Sequence, residues 1–245
     1  MRSFVLLVAL VLKSFFLLAD DNSLFKQANE AYKKNQYDSA LTTYKKLEAK
    51  KLEGVELFYN MANCYYKLNQ LGYAIAYYEK AYRLDPTDED IKANLRLANA
   101  RITDKINIEE KGLSAWFKSV TYLFSADRFA SLGLTLWVLG FTGLILLAFK
   151  IVKTGKFYFI GLIFTGSLLL ILGFIQYKSI TKKSKAVIIA SSVQIKTQPN
   201  EESKSVYNLH EGTKVNLHGQ SDEWYEISID NENYGWIKAS DLIVI

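Results

Sequence analysis

Hydrophobic and polar positions follow different rules in different parts of the chain. In the first half, Met61, Ala62 and Tyr65 mark one helix and Ala74, Tyr78 and Ala81 the next, while Ile91, Leu95, Ala98 and Ile102 share one face of a third. Further on, 21 residues run without a charge between Arg128 and Lys150, and another 21 between Lys156 and Lys178. At a rise of ~1.5 Å per residue each run reaches about 31 Å, enough to cross a hydrocarbon core. The last sixty residues switch to alternation: AVIIASSVQIKTQP, VYNLHEGTKVNLHG and EWYEISIDNENYGWIKASDLI read as short strands separated by turn residues. The pattern predicts a multidomain membrane protein: an α-helical domain, two transmembrane helices (129–149 and 157–177) and a small all-β barrel (186–245).

Within the helical part the chain repeats itself. Shifted by 34 residues, Asn63 falls on Asn29, Tyr66 on Tyr32, Lys67 on Lys33, Asn69 on Asn35, Ala74 on Ala40 and Tyr78 on Tyr44. The small alanines Ala62 and Ala74 let two helices approach closely, Tyr65 and Tyr78 fill the space beside them, and Pro86 ends the second helix. This pattern resembles the tetratricopeptide repeat family, with repeats at 21–54 and 55–88 inside a domain of 20–106. Two such hairpins bury little, so a capping helix is expected at 89–106, opened by Thr87 and Asp90. After Gly112, Leu113, Trp116, Phe117, Val120 and Leu123 recur at helical spacing. The connector 107–128 therefore reads either as an interfacial amphipathic helix or as a helix packed on the repeats.

Charge refines the topology. The formal net charge is +5, yet residues 129–185 carry seven lysines and no acid, whereas residues 186–245 carry four lysines and nine acids. The positive excess thus flanks the apolar runs, which favours membrane lipid as its counterpart and no nucleic acid. The opening MRSFVLLVALVLKSFFLLADD has the layout of a secretory signal at 1–19, either cleaved or retained as an anchor. The loop KIVKTGK at 150–156 reads as cytoplasmic. The segment 178–185 is also lysine-rich, and the export signal breaks the tie by sending the repeats and the C-terminal domain to the exported side.

Val193, Ile195 and Pro199, then Leu209, Glu211, Gly212, Lys214 and Val215, then Trp224 and Gly235-Trp236-Ile237, resemble the bacterial SH3-like family. Gly212 suits a turn with positive φ. In so small a core, Trp224 and Trp236 are expected to be structural first and ligand-facing second.

Candidate chemistry is sparse. Cys64 is the single cysteine and reads as a buried apolar residue. His210 and His218 flank a turn without the further ligands that a metal site requires. Phosphate-binding and nucleophile-elbow motifs are missing from the sequence, so no catalytic residue, metal or cofactor is expected and the chain reads as a non-enzyme. Binding surface remains. The repeat resemblance implies a trough lined by first-helix residues: Phe25, Asn29, Tyr32 and Lys33, then Tyr59, Asn63, Tyr66 and Lys67. The asparagines either meet a peptide backbone or brace the neighbouring helix. Phe25 stands where a carboxylate clamp would place its first lysine.

The order of modules as a whole resembles the BatE-like family of bacterial aerotolerance operons. That resemblance implies a scaffold in the inner (cytoplasmic) membrane, with both soluble domains periplasmic. Its protein partners would be von Willebrand A-type membrane proteins and a MoxR-type ATPase system. The competing expectation is a cell-wall tether or sensor whose SH3-like domain binds peptidoglycan.

Overall fold

The computed structural model describes residues 21–105, 116, 119–153, 155–182, 184–230 and 233–245. The expected leader, 1–19, and half of the connector (107–115, 117 and 118) lie outside the described residues.

The repeat domain is built from helices α1 (21–33), α2 (Tyr37–Ala49), α3 (Val55–Lys67), α4 (Leu71–Leu84) and α5 (Glu89–Asn99). The 34-residue repeat is visible in the turns as well as the helices. Gln36 N–H donates to Ala31 O at 2.9 Å, and Gln70 N–H donates to Tyr65 O at 2.9 Å, each closing a first helix by a six-to-one bond. Asn35 (φ 61°) and Asn69 (φ 59°) supply the left-handed residue of this motif, a conformation that asparagine tolerates better than most residues. Ala28, Ala40, Ala62 and Ala74 are fully buried at the helix crossings, with Tyr44, Tyr65 and Tyr78 packed beside them. Cys64 is buried in the same core, and burial pushes its thiol pKa up to about 12.

The capping helix α5 forms as expected, but its start differs. Asp88, not Thr87, is the N-cap: its carboxylate accepts from Asp90 N–H at 2.9 Å and Ile91 N–H at 3.0 Å. Thr87 instead bonds back to Asp85 through its N–H and its hydroxyl, at 2.9 and 2.6 Å. A carboxylate that accepts both N–H bonds at once suits the capping position, leaving Thr87 to complete the turn around Pro86.

Two apolar helices follow, Ala126–Ala148 and Lys156–Thr181, each long and apolar enough to cross a membrane. They pack as a hairpin. A Cβ at Gly133 would lie 2.9 Å from Gly166 O, so the backbones touch where both residues are small. Trp137 Nε1 donates across the pair to Ser167 Oγ at 2.9 Å. Leu134, Val138, Phe141, Phe164, Leu168 and Ile171 remain exposed around the outside, a surface suited to lipid.

The C-terminal domain is a seven-stranded antiparallel sheet in the order β3-β2-β6-β5-β4-β1-β7. Its strands are β1 (Lys185–Ile188), β2 (Ser192–Lys196), β3 (Ser205–His210), β4 (Lys214–Ser221), β5 (Trp224–Ser228), β6 (Tyr234–Lys238) and β7 (Leu242–Val244). Its core is aliphatic: Ala186, Ile188, Ile195, Leu209, Val215, Ile227, Ile237 and Leu242.

The domains are not beads on a string. Val187, Ile243 and Ile245 of the barrel enter the apolar cluster of the repeats. Glu211 Oε2 accepts from Gly72 N–H at 3.0 Å, capping α4 at an end whose own N-cap residue, Gln70, provides no side-chain bond. Lys214 pairs with the buried Glu79 of α4 at 2.7 Å. Asp104, just beyond α5, accepts from His210 N–H at 2.7 Å and the Thr213 hydroxyl at 2.8 Å, and meets His210 Nδ1 at 3.0 Å. Gly212 does adopt positive φ, 85°, and a Cβ there would meet Ile102 and Ile75 of the repeats at 2.5 and 2.8 Å. The repeats and the barrel therefore share one side of the hairpin.

Candidate functional site

All eight trough candidates lie on α1 and α3, half-buried or exposed, while the barrel rests on α4 and the segment after α5. Each repeat builds the trough floor in the same way. The Phe25 ring lies 5.8 Å from the Tyr44 ring, and 34 residues on Tyr59 lies 5.9 Å from Tyr78. The Tyr44 hydroxyl donates to Asn29 Oδ1, and the Tyr78 hydroxyl donates to Asn63 Oδ1 at 2.5 Å. Burial raises the pKa of both tyrosines, so both phenols stay protonated and remain donors. The bracing role of Asn29 and Asn63 is thus present in the structure. Their carbonyl oxygens serve the neighbouring helix.

The rim is more open. The Tyr32 ring meets Tyr37 edge-on at 5.3 Å. Lys33 pairs with Glu30 at 2.9 Å, both largely solvated, so water screens the contact and leaves the lysine open to a partner. Lys67 is exposed beside Tyr66, whose ring sits 5.1 Å from the Arg101 guanidinium. Arg101 in turn donates to Asn69 Oδ1 at 2.5 Å.

Two asparagines belong to this surface that the sequence reading missed. Asn60 Nδ2 donates to Asn29 Oδ1 at 3.2 Å, and Asn94 Nδ2 donates to the Tyr59 hydroxyl at 2.7 Å. They stand 34 residues apart, so extending the repeat offset into the capping helix finds them. α5 thereby supplies a third first-helix to the trough.

The barrel offers a second surface. In the β5–β6 register Trp224 opposes Lys238 and Glu226 opposes Trp236, while Tyr225 and Ile227 alternate to the other face. Trp224 and Trp236 are therefore diagonal neighbours on the outward face. They stand half-exposed, outside the aliphatic core. Lys238 lies 5.8 Å from the Trp224 ring and pairs with Glu201. Burying the aliphatic side chains of β5 and β6 forces this outcome, because strand alternation sends the tryptophans outward.

The histidines serve separate ends. His210 belongs to the Asp104 contact, and His218 Nε2 meets Ser228 Oγ at 2.8 Å with its ring 5.0 Å from Tyr234. Among the described residues no group of three or more His, Cys, Asp or Glu side chains is placed to hold a metal.

Comparison with known proteins agrees with this division of the chain. No curated protein matches it. Residues 25–89 match the family model of the tetratricopeptide repeat, and residues 191–243 match that of the bacterial SH3 domain.

Proposed function

We propose that the protein is a non-enzymatic membrane scaffold whose repeat trough grips a segment of another protein. The observation that carries this reading is the aromatic and amide row on α1, α3 and α5. It stays accessible while the barrel closes another part of the repeat domain. Tyrosine faces supply contact area at small entropic cost, and the exposed Lys33 and Lys67 favour an acidic partner. The module order supports a BatE-like role in a stress or aerotolerance complex of the inner membrane. The repeats and barrel would be periplasmic, beside von Willebrand A-type proteins and a MoxR-type ATPase system.

The test is partner capture by the full chain from solubilised membranes. Asn63 is a poor target because its loss strands the buried Tyr78 hydroxyl. Tyr66→Ala with Lys67→Ala removes rim contacts and leaves the floor intact. We expect this variant to lose the captured partner with its helicity unchanged; undiminished capture excludes the trough as the contact.

The outward tryptophans favour a second reading, a cell-wall tether in which the SH3-like domain binds peptidoglycan. Trp224→Ala with Trp236→Ala in the full chain should then abolish co-sedimentation with purified peptidoglycan. Equal sedimentation of this variant and the unaltered protein excludes it.

A further inference from the structure

Where the repeats, the barrel and the end of the second apolar helix meet, the structure contains a cavity of about 990 Å³. That is at the upper end of the range of small-molecule pockets, about 300–1,000 Å³. Six cationic side chains line it: Arg83, Lys92, Arg96, Lys182, Lys185 and Lys214. Among the described residues of the lining the one carboxylate side chain, Glu79, is already paired with Lys214, and Lys92 is paired with Glu89 at 2.8 Å. Among the described residues Arg83, Arg96 and Lys182 have no carboxylate at ion-pair distance. Arg83 spends one N–H on the carbonyl of Ile180.

A second observation is independent of charge. Gln176 lines the same cavity, is 1% exposed, and has neither its amide nitrogen nor its carbonyl oxygen hydrogen-bonded. A buried side-chain amide without partners loses its hydration and gains nothing in return, so few native groups are left in that state without a reason such as an unseen partner. Gln176 lies two residues inside the uncharged run that ends at Lys178, and Lys182 lies one turn beyond that lysine. At ~1.5 Å per residue the two side chains are about 9 Å apart along the helix axis, bracketing the depth at which acyl chain gives way to headgroup. Apolar Leu95, Ile175 and Ile245 line the cavity as well, so it presents cations, an amide and hydrocarbon together.

We infer that this cavity binds the phosphodiester headgroup of an anionic membrane lipid. Arg96 and Lys182 neutralise the phosphate, Gln176 hydrogen-bonds its ester or glycerol oxygens, and the apolar lining receives the start of an acyl chain. A fork of guanidinium donors suits phosphate geometry, and basic pockets beside membrane helices recognise such headgroups. The lipid then ties the repeats, barrel and hairpin together at the point where all three converge.

The experiment uses the full chain, purified in a neutral detergent and stripped of lipid. Phosphatidylglycerol or phosphatidylcholine is titrated while lipid occupancy is read by native mass spectrometry and stability by thermal unfolding. Phosphatidylglycerol should bind at least about tenfold more tightly than phosphatidylcholine, and Arg96→Gln with Lys182→Gln should weaken it by about ten- to thirtyfold. Gln176→Leu separates a site from a packing defect. It should raise the lipid-free Tm by removing an unsatisfied amide, yet shrink the Tm increment that phosphatidylglycerol gives. Equal binding of the two lipids overturns the inference, as does a charge variant that binds like the unaltered protein or a Gln176→Leu chain with its full lipid increment. If inorganic phosphate or glycerol phosphate occupies and stabilises the protein as well as the lipid does, the assignment to a lipid is overturned and the site takes a soluble phosphate.

Discussion

Gly72 gives docking of the barrel on the repeats a test in which the sign of the effect decides. It is the second residue of α4, where an exposed glycine replaced by alanine normally stabilises a helix by about 0.8–1 kcal/mol. Here a Cβ would lie 2.6 Å from Ile188 O and 2.9 Å from Ile189 Cα, both backbone atoms of the barrel that cannot rotate aside. Relieving that overlap means shifting β1 away from α4, which typically costs about 1–3 kcal/mol and stretches the Gly72–Glu211 bond. The net expectation for Gly72→Ala is a loss of up to about 2 kcal/mol, concentrated at the interface. Hydrogen exchange of the full chain in detergent reads this directly. Amides of residues 187–189 and 212–213, and of the first turn of α4, should exchange faster in the variant, while those in the middle of α3 should not change. A Gly72→Ala protein that is more stable, with unaltered exchange at residues 187–189, would refute the docking and everything argued from it.

Other consequences follow from single contacts. Asn63→Ala removes the acceptor of the Tyr78 hydroxyl, whose residue is 1% exposed, and should lower stability by about 1–3 kcal/mol in urea unfolding, with Tyr78→Phe costing less. Lys51 holds a left-handed φ of 60° in the turn between the repeats, so Lys51→Gly should raise the urea midpoint by the equivalent of about 1 kcal/mol. At Asp104, burial works to raise the carboxyl pKa, but bonds from the His210 ring, the His210 N–H and the Thr213 hydroxyl outweigh it, and the net shift is downward. A depressed folded-state pKa stabilises above the ordinary aspartate value and loses that contribution as pH falls through the folded one. The barrel contact should therefore hold at neutral pH, and exchange at residues 210–213 should rise only in acid, below the ordinary aspartate range.

Periodicity made the helices, the apolar pair and the β-domain legible, because each rule is local. Ala62 and Ala74 carried the crossings and the uncharged runs the hairpin, while the left-handed turns at Asn35 and Asn69 came from the backbone. Contacts between modules were not legible. Nothing about Glu211, Gly212 and Lys214 as a sequence says that they face α4, since their partners Gly72, Ile75 and Glu79 lie about 135 residues earlier and are joined by geometry alone. The outward stance of Trp224 and Trp236 follows from a local rule, since alternation along β5 and β6 assigns the inward positions to Tyr225, Ile227 and Ile237. Of the trough, the aromatic positions were readable from the repeat offset. The engagement of Asn29 and Asn63 with buried tyrosines required side-chain coordinates.

The docking also explains how two repeats can stand without a third. A helix hairpin exposes an apolar side that the next unit must cover. Here α5 covers part of α4 through Ile91 and Ala98, and the barrel covers more through Val187, Ile243 and Ile245, while Glu211 caps the free N–H of Gly72. The barrel thus takes the place of further repeats, although a membrane hairpin separates the two in sequence. α4 consequently serves two surfaces at once: Tyr78 braces the trough through Asn63, and Gly72, Ile75 and Glu79 hold the barrel. A protein segment seated between α1 and α3, as proposed, would press on a floor whose underside is anchored to the SH3-like domain. Cutting the repeats out at residue 105 would leave Ile75 and the α4 N-terminus uncovered. The proposed partner capture is therefore expected of the full chain, with repeats and barrel together.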